Sequence, residues 1–144
     1  MSPSYNIRPA TETDATTIKR MIRKARLDPT SLKWQHFLLA EDGAQKIIGI
    51  GQVKPYPGCE ELGSLVVLPD YREQGIGGAL IEALEARAGR PLYLLCLSTM
   101  GPYYQRFGYQ RISWWAAPWF LKLKLSPALL FRLFGMRVFV MRKA

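Results

Sequence analysis

The chain has 144 residues, 49% of them apolar and 22% charged, with a formal net charge of +9. That length suffices for one domain with a real hydrophobic core, and a single domain over residues 1–144 is expected. Two cysteines without metal spacing and a single histidine, His36, argue against a disulfide framework, a multi-histidine metal centre and a histidine-based triad.

Tyr5–Arg8 is a short strand candidate. Residues 11 to about 27 read as a helix: Thr11 and Asp14 form a capping box with Asp in place of Glu, and Ile18, Met21, Ile22 and Ala25 share one face. Asp28-Pro29 breaks it, and residues 31–34 suggest a helical turn. Three strands follow, at 37–40, 47–53 and 61–68, with turns at Glu41-Asp42-Gly43 and Tyr56-Pro57-Gly58; their order suggests an antiparallel meander. Residues 74–88 read as a helix with Ile76, Leu80 and Leu84 in line, ended by Gly89-Arg90-Pro91. The nearly all-apolar 92–97 suggests a strand covered on both faces, as in a parallel pair. A short helix at 101–106, a strand-like 109–115, a helix at 128–134 begun by Ser126-Pro127 and closed by Gly135, and a strand at 137–142 complete the chain.

No segment at the amino terminus has the apolar core of a signal peptide, and no apolar run approaches the ~18 residues of a membrane span. A reducing, cytoplasmic setting is expected. All eleven acidic residues lie at or before Glu85, whereas residues 86–144 hold ten Lys and Arg and no Asp or Glu. The second half therefore carries a field that attracts anions, and any catalytic carboxylate must come from the first 85 residues.

Three glycines, Gly75, Gly77 and Gly78, stand where a helix should begin. Each weakens a helix by about 0.5–1 kcal/mol relative to Ala. Helix N-termini offer unpaired amides and a positive dipole end, and absent side chains let a phosphate reach them. Close packing of the helix start on a sheet is the competing explanation. A P-loop is excluded because no Gly-Lys-Ser/Thr follows, and Leu80 occupies the third glycine position of a dinucleotide fingerprint.

The apolar strand, Pro69, Tyr71 and then Arg72-x-x-Gly75-x-Gly77 resemble the R/Q-x-x-G-x-G/A acetyl-CoA signature of the GNAT (Gcn5-related) N-acetyltransferase superfamily. Gly101-Pro102-Tyr103-Tyr104-Gln105-Arg106-Phe107-Gly108-Tyr109 resembles that family's fYexlGF segment, in the right order. The resemblance implies an α/β (α+β) fold: a mixed, mostly antiparallel central sheet of about six or seven strands flanked by helices, with a V-shaped splay between strands 4 and 5. It implies acetyl-CoA as co-substrate, without a metal, and an acyltransferase acting on a primary amine by direct attack in a ternary complex.

It further implies site residues. Amides around Gln74, Gly75, Ile76, Gly77, Gly78 and Ala79 would hold the CoA pyrophosphate, with Glu73 in the same turn. Arg72 would assist the phosphates or serve as a solvated turn arginine. Main-chain groups at Leu65, Val66 and Val67 would pair with the pantetheine arm as an added strand and donate to the oxyanion. Tyr104 would protonate the leaving thiolate, with core packing as the competing explanation. Glu61 would be the base, directly or through a water, with a solvated strand-end acid as its alternative and Glu60 beside it as that acid. Strand alternation puts Glu61, Gly63, Leu65 and Val67 on one face, subject to a bulge. Many members carry an Asn after the fifth strand; here Ser98 or Thr99 would substitute, or the contact is lost.

The acceptor wall is expected from residues 28–34 with Gln52 and Lys54, and Trp114 as a further candidate, Trp34 serving either to stack on substrate or to anchor its loop. The acceptor would be a small amine, an amino acid or a peptide amine. The basic, aromatic tail from Trp114 to Leu125 raises a second class of function, a partner- or membrane-surface-binding module that binds CoA without catalysis. Against it, the tail is expected to cover the core, with Trp114 and Trp115 alternating across a strand. Homodimer formation is compatible with the sequence; specific nucleic-acid binding and membrane contact are not expected.

Overall fold

The computed structural model describes residues 4–125 and 138–144. It is a mixed α/β structure with a seven-stranded, mostly antiparallel sheet flanked by helices. The chain divides into two compact units, residues 1–54 with 62–88, and residues 55–61 with 89–144.

The first unit opens with β1 (Tyr5–Pro9), which pairs antiparallel with β2 (Phe37–Asp42), and β2 pairs antiparallel with β3 (Ile47–Tyr56); β4 (Cys59–Val67) follows. The expected meander is present. Helix α1 (Ala15–Lys24) is preceded by a single 3-10 turn, Glu12–Asp14. The Asp14 carboxylate accepts the Thr11 amide at 2.7 Å, the backward half of the expected capping box. Arg8 holds that carboxylate at 2.9 Å and Glu41 at 2.8 Å, tying β1, β2 and the helix start together. The Arg8 guanidinium keeps Asp14 below the usual carboxylate range.

Ile18, Met21 and Ile22 enter a core with Phe37, Leu39, Ile50 and Val66. Burial of each isoleucine contributes about 1.5–3 kcal/mol. The helix stops earlier than the sequence suggested. Arg26 is left-handed at φ 57°, Leu27 N–H donates to the Ile22 carbonyl at 3.1 Å and Arg26 N–H to Arg23 at 3.1 Å, a Schellman ending with Arg in the glycine position. Ala25 is consequently exposed, outside the apolar face.

Helix α2 (Ile76–Arg87) buries Ile76, Leu80, Ile81 and Leu84. It lies close over β3. A Cβ at Gly51 would come within 2.9 Å of Leu84 Cδ1, and one at Gly49 within 3.1 Å of Leu80 Cδ1. These two positions stay bare because the helix occupies the space.

In the second unit β5 (Leu92–Leu97) pairs antiparallel with β7 (Val138–Lys143), which pairs with β6 (Gln110–Ile112). The short helix α3 (Gly101–Gln105) lies between β5 and β6. The strand expected through Trp115 is shorter. It ends at Ile112, and Trp114–Ala116 form a 3-10 turn. The tail then forms helix α4 (Trp119–Leu125), which the sequence reading did not assign. Tyr93, Ala117, Leu121 and Val140 make this unit's core, with Tyr56 and Trp114 packed on it. Covering of the core holds for Trp114, Ala117, Phe120 and Leu121, whereas Trp115, Trp119 and Leu123 point outward. The helix expected at 128–134 lies outside the described residues. Among the described residues no helix is long and apolar enough to cross a membrane.

Candidate active site

In the first unit β4 runs into a 3-10 turn at Pro69–Tyr71, and the chain then kinks twice into left-handed backbone, at Glu73 (φ 63°) and at Gly75 (φ 81°). Gly75 is the residue before α2, and its carbonyl receives the Ala79 amide at 3.0 Å. The Ala79 donor is thereby engaged inside the helix. The amides of Ile76, Gly77 and Gly78 belong to the first turn and have no carbonyl within the helix to meet. Buried Ile76 anchors this turn on the sheet, while Arg72, Glu73, Gln74 and Gly75 are exposed around it. Arg72 Nε donates to the Val67 carbonyl at 3.2 Å, so this arginine braces the end of β4.

The middle of β4 is irregular. Ser64 has φ 55°, a bulge that breaks the two-residue alternation. Leu65 reaches to within 3.2 Å of where a Gly51 side chain would begin, on the α2 side, whereas Val66 joins the core under α1. Alternation counted across Ser64 therefore does not hold, and Glu61 is not aligned with Leu65 and Val67 by simple period-two counting.

The buried polar side chains among the described residues are Asp14, Gln52, Lys54 and Glu61. Asp14 is explained by Arg8; the other three are site residues expected from the sequence. Gln52 Nε2 donates to Ser64 Oγ at 2.8 Å and to the Ser31 carbonyl at 3.2 Å. Its Oε1 is buried with no hydrogen-bond partner among the described residues. Because the Ser31 carbonyl accepts only, the amide nitrogen must face it and the oxygen must face away.

Lys54 Nζ lies 3.6 Å from Asp28 Oδ2, and Asp28 Oδ1 accepts both the Thr30 amide at 2.9 Å and its hydroxyl at 2.6 Å. The loop after α1 is thus tied to β3 twice, at Ser31 and at Asp28. Trp34 packs with Leu32 against the α1 core, as a loop anchor does. Ser31 lies in the segment 28–34 expected to wall the acceptor, whereas Ser64 was not singled out from the sequence. Gly63, a glycine inside a strand, was the available sign of a bulge at Ser64.

In the second unit Glu61 is buried, which sets aside the solvated strand-end alternative for it. Glu60 is not the solvated acid either: it is half-buried and accepts the Gly89 amide at 3.0 Å. Tyr104 sits on α3 with its ring edge-on to Tyr103 at 5.2 Å and to Tyr109 at 6.3 Å. Its carbonyl takes the amides of Phe107 (3.0 Å) and Tyr109 (3.3 Å) as the chain turns through Gly108 at φ 91°. Burial, then the neighbouring Cys96 and Tyr103, push the Tyr104 phenol well above its ordinary value. Burial pushes the Cys96 thiol up to about 11, so at neutral pH it stays a thiol, 3.7 Å from the Met141 sulfur. Ser98 is half-buried in the 3-10 turn after β5, its carbonyl capped by the Gly101 amide.

The sequence profile of the acetyltransferase (GNAT) domain matches residues 33–111, more than half of the chain. The chain belongs to the GNAT acetyltransferase family. Among solved structures, N-acetylglutamate synthase from Neisseria gonorrhoeae complexed with coenzyme A and N-acetyl-glutamate is similar over 99% of this chain and 35% of its own, at 19% identity and TM-score 0.78. The present chain thus spans about a third of that synthase. Rv2747 from Mycobacterium tuberculosis, crystallised with CoA, covers 96% of this chain and 98% of its own, at 18% identity and TM-score 0.79. NAA60 from Arabidopsis thaliana, with a bisubstrate analogue, covers 76% and 86%, at 20% identity and TM-score 0.61. No curated protein matches the chain significantly.

Proposed function

We propose that the chain, acting as one domain, is an acetyl-CoA-dependent N-acetyltransferase whose acceptor is the primary amine of an amino acid or peptide. The observation that carries this reading is the bare first turn of α2, directly after β4, in a chain of this family. The amides of Ile76, Gly77 and Gly78 supply donors for the diphosphate of CoA, and the main chain of Leu65–Val67 supplies pairing for the pantetheine arm.

The amine nitrogen attacks the thioester carbon, the C–S bond breaks, and the products are an amide and free CoA thiol. Glu61 takes the amine proton, directly or through a water; Tyr104 gives its phenolic proton to the departing sulfur. Burial keeps the Tyr104 phenol protonated wherever the amine is reactive, which the acid role requires. The protonated Cys96 thiol disfavours an acyl-cysteine route and supports direct attack. Gln52 Oε1, a buried acceptor without a partner, suits an N–H of the acceptor, and buried Lys54 suits its carboxylate. An amino-acid acceptor also agrees with one structural neighbour, a synthase of N-acetylglutamate.

Thiol release from acetyl-CoA over a panel of amino acids, polyamines, aminoglycosides and peptides tests the reading. Tyr104→Phe and Glu61→Gln should each lower kcat about 10²–10⁴-fold with acetyl-CoA binding retained. Unchanged thiol release in both variants refutes the assigned roles, and no calorimetric heat at millimolar CoA refutes the site.

A further inference from the structure

Helix α4 (Trp119–Leu125) is apolar on two sides. Its inner side is accounted for: Leu121 is fully buried with Tyr93, Ala117 and Val140, and Phe120 stacks on Tyr56 at 4.6 Å. Its outer side carries Trp119 (62% exposed) and, one turn on, Leu123 (64%); Trp115 (82%) stands in the 3-10 turn just before the helix. A surface helix normally presents polar residues outward, and one with a second apolar side has a second surface to cover. Lys122 Nζ donates to the Trp115 carbonyl at 3.1 Å, which fixes a cation beside the indoles. The sequence from 86 to 144 has ten cations and no acid.

We propose that Trp115, Trp119 and Leu123 form a docking surface for an anionic lipid bilayer. Exposed tryptophans favour the headgroup boundary, where the ring is half in hydrocarbon and the indole N–H stays wet, and adjacent lysines meet the acidic headgroups. Charge complementarity decides for this occupant over a second copy of the chain. Two copies meeting at this face would bring together two segments, residues 86–144 of each chain, that carry ten cations and no acid, whereas an anionic surface neutralises them. The surface is an interfacial one, not a span, and it reverses the expectation that the tail makes no membrane contact.

Co-sedimentation of the full chain with phosphatidylglycerol-rich vesicles, against vesicles of phosphatidylcholine alone, tests the proposal. Pelleting should require the anionic lipid, fall steeply with salt, and be accompanied by quenching of tryptophan fluorescence when the acyl chains are brominated. Trp115→Ser combined with Trp119→Ser should lower vesicle affinity about tenfold or more while leaving thermal unfolding unchanged. Should that double variant fail to fold, Leu123→Ser gives the same test with a smaller loss, and the quenching measurement needs no variant. Four results overturn the proposal: no pelleting, pelleting without quenching, pelleting unaffected by these substitutions, or a solution dimer that the same substitutions split.

Discussion

In the first unit β3 buries an amide and an ammonium, Gln52 and Lys54, whereas in the second unit the chain after β6 leaves two indoles, Trp115 and Trp119, in solvent. Each region breaks the usual inside–outside rule in its own direction. The buried polar groups are held by a loop that crosses them, through Ser31 and Asp28, so their cost is partly met within the fold. The exposed indoles are held less, Trp119 meeting Phe120 edge-on at 5.3 Å. A polar group placed inside with one atom still unpaired points to a small ligand, and an apolar group placed outside among cations points to an extended surface. The difference lies in which kind of solvent the molecule has to replace.

The comparison can be broken by substitution, and the largest effect is expected at Gln52. Gln52→Ala should cost about 2 kcal/mol, because Ser31 and Ser64 lose their donor, and should raise KM for the acceptor more than KM for acetyl-CoA. Equal rises in both constants would make Gln52 a purely structural residue. Asp14→Asn is a control in the same unit: it removes a buried acid whose role is structural, and should cost about 1–2 kcal/mol in chemical unfolding at neutral pH. The Asp14 pKa is lower folded than unfolded, so its contribution is complete above the unfolded value of about 4 and fades as pH drops through the folded value. The gap between wild type and Asp14→Asn should therefore narrow only in acid.

Smaller still is Gly75→Ala, at about 1 kcal/mol, since alanine must adopt φ 81° although open space surrounds the position. Its effect on CoA binding should exceed its effect on acceptor binding. Trp119→Ser should shift stability by no more than about 0.5 kcal/mol. A drop several times larger in the thermal melt would show that the indole is buried in solution.

Much of this was legible in residue order. The Thr11–Asp14 pair located the start of α1, the alternating apolar stretches gave the meander, and the run from Val67 to Leu80 gave the turn before α2. The local segment around Tyr104 was equally clear, because Gly101 and Gly108 frame it. What escaped was written in conformations that carry no signature. The end of α1 uses Arg26 in a left-handed conformation, where the eye looks for glycine. The Leu-Lys-Leu-Lys-Leu of residues 121–125 alternates with a period of two, which suggests a strand, yet Pro118 and the packing of Phe120 and Leu121 make it helical. The bulge at Ser64 shifted the faces of β4; the sequence reading allowed for a bulge in this strand, but its position carried no signature beyond Gly63.

The empty positions on β3 have a further consequence. A methyl at residue 51 would stand within 2.9 Å of Leu84 Cδ1 and 3.2 Å of Leu65 Cδ1, so these side chains, which pack α2 on the sheet, must shift. The turn proposed to hold the CoA phosphates stands at the start of that same helix. The seat of α2 on the sheet is therefore gauged by two hydrogen atoms, and Gly51→Ala tests whether CoA affinity responds to a residue outside the proposed cradle.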